Sequence, residues 1–399
     1  MKHCVIILDG ASGWPLAGLG GKTTLTAART PHLDALAREG TVGMAVTVPE
    51  GQEPSSSTAC TSILGYDPVA NRVGRGAIEA ASMGVKLAPD EVALRMNLVH
   101  VDGGVMKSFS CGRIPTADSR AIVGEISEAL ATPTFTFHPG VAYRHILVVK
   151  GHTALLDAEY TPPHDISDKA VAGNLPRGPG ASVLLDLMER ARDVLRRSPV
   201  NARRAAAGQL PATDIWPFWP GQAPRGMVPF EKGRGVRGAM TSGVDLLNGL
   251  AVLAGLTRLQ IAGVSDGPDN DYAAQAEGAL AALADHDVVI VHVESPDEAG
   301  HAGDAAAKLA AIEAIDREIV SRVRAAAPRF ARDGGLRILA MPDHPTPVAT
   351  KTHAREPVPF VLAGPGIARN GADRYDEAAA AATGFTLEPG HLVMDRLLG

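Results

Sequence analysis

Six side chains able to hold a divalent cation sit in three short segments of this chain. They are Asp9, before Gly10; Asp297 and His301, in Asp297-Glu298-Ala299-Gly300-His301; and Asp343, His344 and His353, in the stretch opened by Asp343-His344. Asp297 and His301 are four residues apart, so a helical turn puts both on one face. Asp343 and His344 are adjacent and converge on one ion once the chain leaves the extended conformation. Taken singly, each segment has an ordinary explanation: Asp-Gly and Asp-His-Pro make turns, and an Asp–His pair can decorate a helix surface. Three such segments, each just after an apolar run, are harder to read as three unrelated turns. Carboxylate with imidazole suits Mn²⁺ or Zn²⁺, or a similar ion such as Mg²⁺ or Co²⁺. Six ligands are enough for two ions, with one side chain still to come.

That side chain should be a hydroxyl. Pro54-Ser55-Ser56-Ser57-Thr58-Ala59-Cys60 follows the extended stretch MAVTVPEG and leads into the apolar, helix-like Thr61-Ser62-Ile63-Leu64. A serine at a helix start has free N–H groups and a positive field beside it, both suited to a phosphoryl group. A metal ion would lower the hydroxyl's pKa and make it a usable nucleophile. Two other glycine-rich stretches carry less. Gly18-Leu19-Gly20-Gly21-Lys22-Thr23 lacks the first glycine of a phosphate loop, where Leu16 stands, and Gly74-Arg75-Gly76 lacks the third glycine of a dinucleotide fingerprint.

The elements that must position these groups alternate. Val5–Leu8, Asp287–Val293 and Leu336–Met341 are continuous apolar runs of the kind found in central parallel strands, and Phe360–Leu362 is a shorter candidate. Thr30-Pro31-His32-Leu33-Asp34 opens a helix, with Thr30 as N-cap and Pro31 as first helical residue. Ala305–Ala327 is a second helix, rich in Ala. Strands alternating with helices predict an α/β fold: a mostly parallel sheet flanked by helices. The middle reads differently. Leu94–Val101 and His145–Val149 are predicted strands, Pro179–Arg197 and Ser242–Ala254 predicted helices, and Pro211–Pro229 an ordered loop. The expected organisation is a discontinuous core, 1–89 with 246–399, and an inserted smaller α/β domain at 90–245.

Composition narrows the partners. The 399 residues are 45% hydrophobic and carry a net charge of −6, which predicts a sizeable core and no broad grip on nucleic acid. No stretch reaches the ~20 apolar residues of a membrane span, and the opening MKHCVIILDG reads as a buried strand rather than a signal peptide. Cys4, Cys60 and Cys111 give neither a disulfide framework nor a zinc knuckle, so a reducing cytoplasm is the expected home.

With these residues in place, the chain resembles a known family. Thr30-Pro31-His32-Leu33-Asp34 looks like the early helix signature of the alkaline phosphatase superfamily, and the six ligands match its metal pattern. Within it, the chain is most similar to archaeal-type phosphoglycerate mutases that need no bisphosphoglycerate. The segments LGGKTTLTAARTPHLD, SILGYDP, GRGAIEA, HPGVAYRH, TPPHDISDK, DEAGHAGD and DHPTPVATKTHAREPVPF carry the resemblance along the whole chain. It implies an alkaline-phosphatase-like core and two metal sites. One would use Asp297, His301 and His353; the other Asp9, Asp343, His344 and the nucleophilic serine, which the register makes Ser56. Ser55, Ser57 and Cys60 replace the family's Gly, Asp and Asn. The implied substrate is a small phosphorylated metabolite, 3-phosphoglycerate, passing through a phosphoserine, with the inserted domain closing to exclude water. Its carboxylate needs a cationic, preferably bidentate partner. The candidates are Arg113, Arg144, His145, His164, Asp165 and Lys169, with Arg144 and His164 foremost. An alternative within the superfamily is a homoserine kinase using ATP.

Overall fold

The computed structural model describes residues 1–71 and 73–399. Thirteen strands are numbered along the chain: β1 (Lys2–Leu8), β2 (Thr41–Ala45), β3 (Glu91–Asp102), β4 (Val105–Ser108), β5 (Phe135–Val141), β6 (Arg144–Lys150), β7 (Asp214–Gly221), β8 (Gly238–Thr241), β9 (Thr257–Arg258), β10 (Val288–Val293), β11 (Leu336–Met341), β12 (Val358–Ala363) and β13 (Thr386–Leu387). They divide between two compact units, Met1–Arg72 with Arg225–Gly399, and Val73–Pro224.

The first unit holds one eight-stranded sheet in the order β13-β2-β12-β11-β1-β10-β8-β9. Every neighbouring pair is parallel except those made by β12. β1 and β10 are buried along nearly their whole length. This explains their unbroken apolar runs: a strand covered on both faces has no polar side to alternate with. The helix Pro31–Glu39 turns Leu33, Leu36 and Ala37 into the core beside Ile6, Leu8, Ile312 and Ile319. Thr30 occupies its N-cap position, yet its side chain makes no cap bond. A buried carboxylate does that work instead: Asp316 accepts from the backbone N–H groups of His32 (3.2 Å) and Leu33 (2.7 Å). Asp316 lies in a π-helical turn, Ile315–Val320, that interrupts the predicted Ala305–Ala327 helix.

The second unit is built on an antiparallel sheet, in which β3 pairs with β4, β6 and β7, and β5 with β6. The α/β character expected of the insert is therefore an antiparallel sheet with helices, the largest being Thr116–Leu130 and Ala181–Arg197, packed over one core. Its limits also differ from the expected 90–245. The helix Arg75–Ser82 belongs to it, because Gly76 lets that helix lie against the Ala93 carbonyl of β3: a Cβ there would come within 2.2 Å of the oxygen. β8 belongs to the other unit, because it pairs with β10. The predicted loop Pro211–Pro229 contains β7. Pro217 and Pro220 are tolerated because, among the described residues, β7 pairs only with β3 and needs no donors on its far side.

Replacing Asp316 by Ala leaves two N–H groups of the first helical turn, one buried and one part-buried, without an acceptor. We expect a loss of about 1–2 kcal/mol, read as a lower denaturant midpoint with the slope unchanged.

Candidate metal and nucleophile centre

β1, β10 and β11 lie side by side and parallel, with Ile7 opposite both His292 and Met341. Adjacent strands are about 4.8 Å apart, so the residues just past their carboxyl ends meet at one edge of the sheet, where ligand sites of parallel sheets form. Asp9 follows β1, the helix Ser295–Ala302 follows β10, and Asp343-His344 follows β11. Gly10 makes the approach possible. It has φ +61°, and a Cβ there would lie 2.5 Å from Asp297 Oδ1 and 2.6 Å from Thr346 Oγ1.

One group gathers on Asp297. Its Oδ2 is 3.1 Å from His301 Nε2, the helical spacing expected, and its Oδ1 is 3.6 Å from His353 Nε2. His301 Nδ1 lies 3.0 Å from the Lys351 carbonyl, and His353 Nδ1 3.1 Å from the Pro54 carbonyl. A carbonyl only accepts, so each Nδ1 carries a hydrogen and each ring turns its Nε2 inward. Those two Nε2 atoms are 2.9 Å apart. Two such nitrogens beside a carboxylate can share a proton with it, or hold a metal ion in the proton's place. Carbonyls that anchor the far nitrogen of an imidazole in this way are the usual second layer of a metal site. Burial alone would raise the Asp297 carboxyl, but hydrogen bonds from His301 and His353 carry it well below the ordinary range, while Asp297 pushes the His301 imidazole up to about 9.

The second group gathers on His344, fully buried. Its Nε2 is 3.2 Å from Asp343 Oδ2, 3.8 Å from Asp9 Oδ1 and 3.2 Å from Ser56 Oγ. Ser56 opens the helix Ser56–Ile63, capped by Ser55, whose hydroxyl accepts from the Thr58 N–H at 3.3 Å. Cys60, one turn on, points its thiol at Asp343 Oδ2, 3.8 Å away. Ser56, Asp9, Asp343 and His344 thus converge, and the His344 and His353 rings, 4.0 Å between centroids, join the two groups. Asp9-Asp343-His344 and Asp297-His344-His353 each bring ligand atoms close enough to share an ion.

Sequence reading missed two acidic and imidazole groups here. His292 sits inside β10, its Nε2 2.7 Å from Asp9 Oδ2 and its Nδ1 2.9 Å from Ser242 Oγ. Glu294 follows two residues later, with Oε2 3.7 Å from His292 Nε2. With Asp9 they form a third set of potential ligands. Burial, followed by the charge of Asp9, pushes the Glu294 carboxyl up to about 10; burial, then Asp343 and Asp297, raises Asp9. Asp9 Oδ1 and Glu294 Oε2 are buried with no hydrogen-bond donor. Carboxylate oxygens crowded in this way fit a divalent cation, which supplies the missing positive charge. Lys308 supplies part of it. Fully buried, its Nζ donates to the carbonyls of Ser12 (2.9 Å) and Thr346 (2.7 Å), tying the loop after β1 to the loop after β11.

The six side chains expected to grip substrate lie in the other unit. Arg144 opens β6 and is exposed. His164 is exposed, in contact with Asp165 (3.7 Å) and edge-on to Phe109, Phe218 and Trp219. Lys169 donates to the Asp165 carbonyl at 2.9 Å, and Arg113, exposed on a left-handed backbone, forms no ion pair among the described residues. His145 departs from expectation. It is buried, its Nδ1 accepts from the Gly140 N–H at 3.0 Å, and burial lowers its pKa to about 3, so it is a neutral structural group.

Fold and site define a class: an α/β protein with a carboxylate-imidazole centre at the ends of parallel strands, beside a helix-start serine. Comparisons narrow it. The family model for 2,3-bisphosphoglycerate-independent phosphoglycerate mutase matches residues 37–201. A Geobacter sulfurreducens protein described as a probable enzyme of that name is 44% identical over 100% of both chains. The Methanothrix thermoacetophila enzyme is 42% identical over 98% of each. Among solved structures, the cofactor-independent phosphoglycerate mutase of Thermoplasma acidophilum superposes with TM-score 0.71 at 26% identity, covering 100% of this chain and 99% of that one. A Pyrococcus horikoshii protein gives TM-score 0.79 at 26% identity, covering 100% and 96%. The chain belongs to the 2,3-bisphosphoglycerate-independent phosphoglycerate mutase family.

The raised groups predict a pH dependence. Glu294, up to about 10, and His301, up to about 9, bind more protons folded than unfolded across neutral pH. Stability from such groups is present at low pH and lost as pH climbs toward those values. In EDTA we expect Tm to fall by roughly 2–4 °C per pH unit between pH 7 and 9, with saturating Mn²⁺ removing most of that slope. A Tm in EDTA that is flat with pH and unmoved by Mn²⁺ would contradict the charge balance described here.

Proposed function

We propose that the protein interconverts 3-phosphoglycerate and 2-phosphoglycerate, a step of glycolysis, through a phosphoserine at Ser56. The observation that carries this reading is the convergence of Ser56 Oγ with the buried ligand set: it lies 3.2 Å from His344 Nε2, in a cluster whose crowded carboxylates fit a cation. Family membership supports the choice of substrate, since the relatives described above are named for that reaction. Nothing at the site favours the homoserine kinase alternative.

Asp297, His301 and His353 would hold one divalent ion, and Asp9, Asp343, His344 and Ser56 the other; Mn²⁺ or Zn²⁺ suit the mixed donors, and Mg²⁺ or Co²⁺ are compatible with them. Such ions would neutralise the phosphoryl oxygens and lower the serine's pKa. Ser56 sits at a helix start, where free N–H groups face an arriving phosphate. Its Oγ forms a bond to phosphorus as the substrate's ester bond breaks, and the proton it gives up ends on the departing glycerate oxygen. The other glycerate hydroxyl then takes the phosphoryl group back by the reverse path. Arg144 and His164 are the expected partners of the glycerate carboxylate. We place the reaction in a reducing cytoplasm, consistent with three free, buried cysteines. No helix among the described residues is long and apolar enough to cross a membrane.

The test is Ser56→Ala assayed with Mn²⁺ and 3-phosphoglycerate. We expect formation of 2-phosphoglycerate to fall by ~10³-fold or more, with metal content retained. An active Ser56→Ala beside an inactive Ser57→Ala would move the nucleophile by one residue. O-phosphohomoserine from homoserine and ATP, with no mutase product, would replace the proposal altogether.

A further inference from the structure

The two groups of ligands share a hydroxyl that belongs to neither. Thr346, two residues past His344, is fully buried. Its Oγ1 donates to Asp297 Oδ1 and lies 3.3 Å from His344 Nδ1. A hydroxyl has one hydrogen to give, and a carboxylate can only accept, so that hydrogen goes to Asp297. The Thr346 oxygen is left to accept from His344, whose Nδ1 is then the donor. The ring therefore turns its other nitrogen, Nε2, toward Asp343 (3.2 Å), Asp9 (3.8 Å) and Ser56 (3.2 Å). One side chain thus orients a carboxylate of the first group and an imidazole of the second.

The fold fixes this hydroxyl from three directions. The Thr346 N–H donates to the Ser12 carbonyl at 3.1 Å, and the Thr346 carbonyl accepts from Lys308 Nζ at 2.7 Å. Two glycines form the slot for its side chain. A Cβ at Gly10 would lie 2.6 Å from Thr346 Oγ1, and a Cβ at Gly300 would lie 2.8 Å from the methyl carbon Cγ2. Gly300 stands inside the helix Ser295–Ala302, between Asp297 and His301, where glycine is a poor helix former. The close approach of Thr346 is what that position requires. With its methyl and its hydroxyl both packed, a β-branched side chain has one rotamer left to adopt. The segments after β1, β10 and β11 all bear on this one threonine.

We propose that Thr346 is a positioning residue that ties the two ligand groups into one unit, so that each ion is held partly through a side chain outside both ligand sets. This rests on the two-ion reading above and extends it to a further residue. Without the hydroxyl, Asp297 Oδ1 loses a donor and His344 Nδ1 loses its acceptor. A change at one atom then weakens both sites. A role confined to packing would spare them in Thr346→Val, which keeps the branched shape.

Calorimetric titration of the full chain with Mn²⁺, after removal of metal by EDTA, tests the tie without recourse to turnover. The parent should take up two ions. Thr346→Val should bind both ~10–100-fold more weakly, and Thr346→Ser, which keeps the hydroxyl and loses the methyl, should recover most of both affinities. The proposal is overturned if Thr346→Val binds both ions as the parent does, or if one affinity falls and the other does not. Equal losses in Thr346→Ser and Thr346→Val also overturn it, because they assign the effect to packing. Should Thr346→Val fail to fold by circular dichroism, Thr346→Ala against Thr346→Ser decides, since that pair differs in the hydroxyl alone. Weaker binding of both ions by the alanine variant supports the tie, and matching affinities at either site overturn it. A parent that takes up fewer than two ions would instead remove the two-ion reading, and the tie with it.

Discussion

The centre depends on a crowding of negative charge that the fold enforces. Three parallel strands end at the same level, and each delivers carboxylates to a buried edge: Asp9 from β1, Glu294 and Asp297 from β10, Asp343 from β11. Strand spacing leaves these groups no room to separate, and burial denies them water. The result is visible in the groups themselves. Asp9 and Glu294 are pushed toward protonation, while Asp297, which burial alone would raise, is held ionised by hydrogen bonds from His301 and His353. The sheet's geometry thus creates the electrostatic demand that a cation would meet.

Holding that arrangement requires fixed loops, and much of the fixing is done by residues that would not touch substrate. Lys308 clamps two loops through their carbonyls, Gly10 admits Asp297 and Thr346 to within contact of the backbone, and Lys351 and Pro54 carbonyls set the direction of two imidazoles. His292 plays the same part for Asp9, itself held by Ser242. Pre-organisation of this kind separates a working metal site from a loose collection of ligands.

Much of this was legible in the sequence where the signal was local. The runs Val5–Leu8 and Leu336–Met341 are strands, and Asp297 and His301 sit one helical turn apart, because apolar continuity and fixed spacing are read directly from neighbours. What escaped depends on distant parts of the chain. His292 lay inside an apolar run already explained as a strand; the clue was its period-two relation to Glu294, which puts both on one face at the strand's end. Lys308 is hidden in an Ala-rich helix, where a lysine ordinarily faces water. Thr30 holds the capping position, but the cap comes from Asp316, far along the chain. β7 was masked by its prolines, since only pairing on one side makes them acceptable. The limits of the insert escaped because Gly76 and β8 reveal their allegiance only through contacts with Ala93 and β10.

The connectivity of the larger sheet bears on synthesis. β1 is translated before its two partners, β10 and β11, which are encoded after the whole of the second unit. Until Leu336–Met341 is translated, the strand carrying Asp9 has an unpaired edge and an acidic residue without its neighbours. The Val73–Pro224 unit, by contrast, has its own core and antiparallel pairings complete once its last residue is free. Domains of this kind form as units during elongation. The ligand set is then assembled last, after the insert has folded, with the apolar β1 as the segment most in need of protection in the interval.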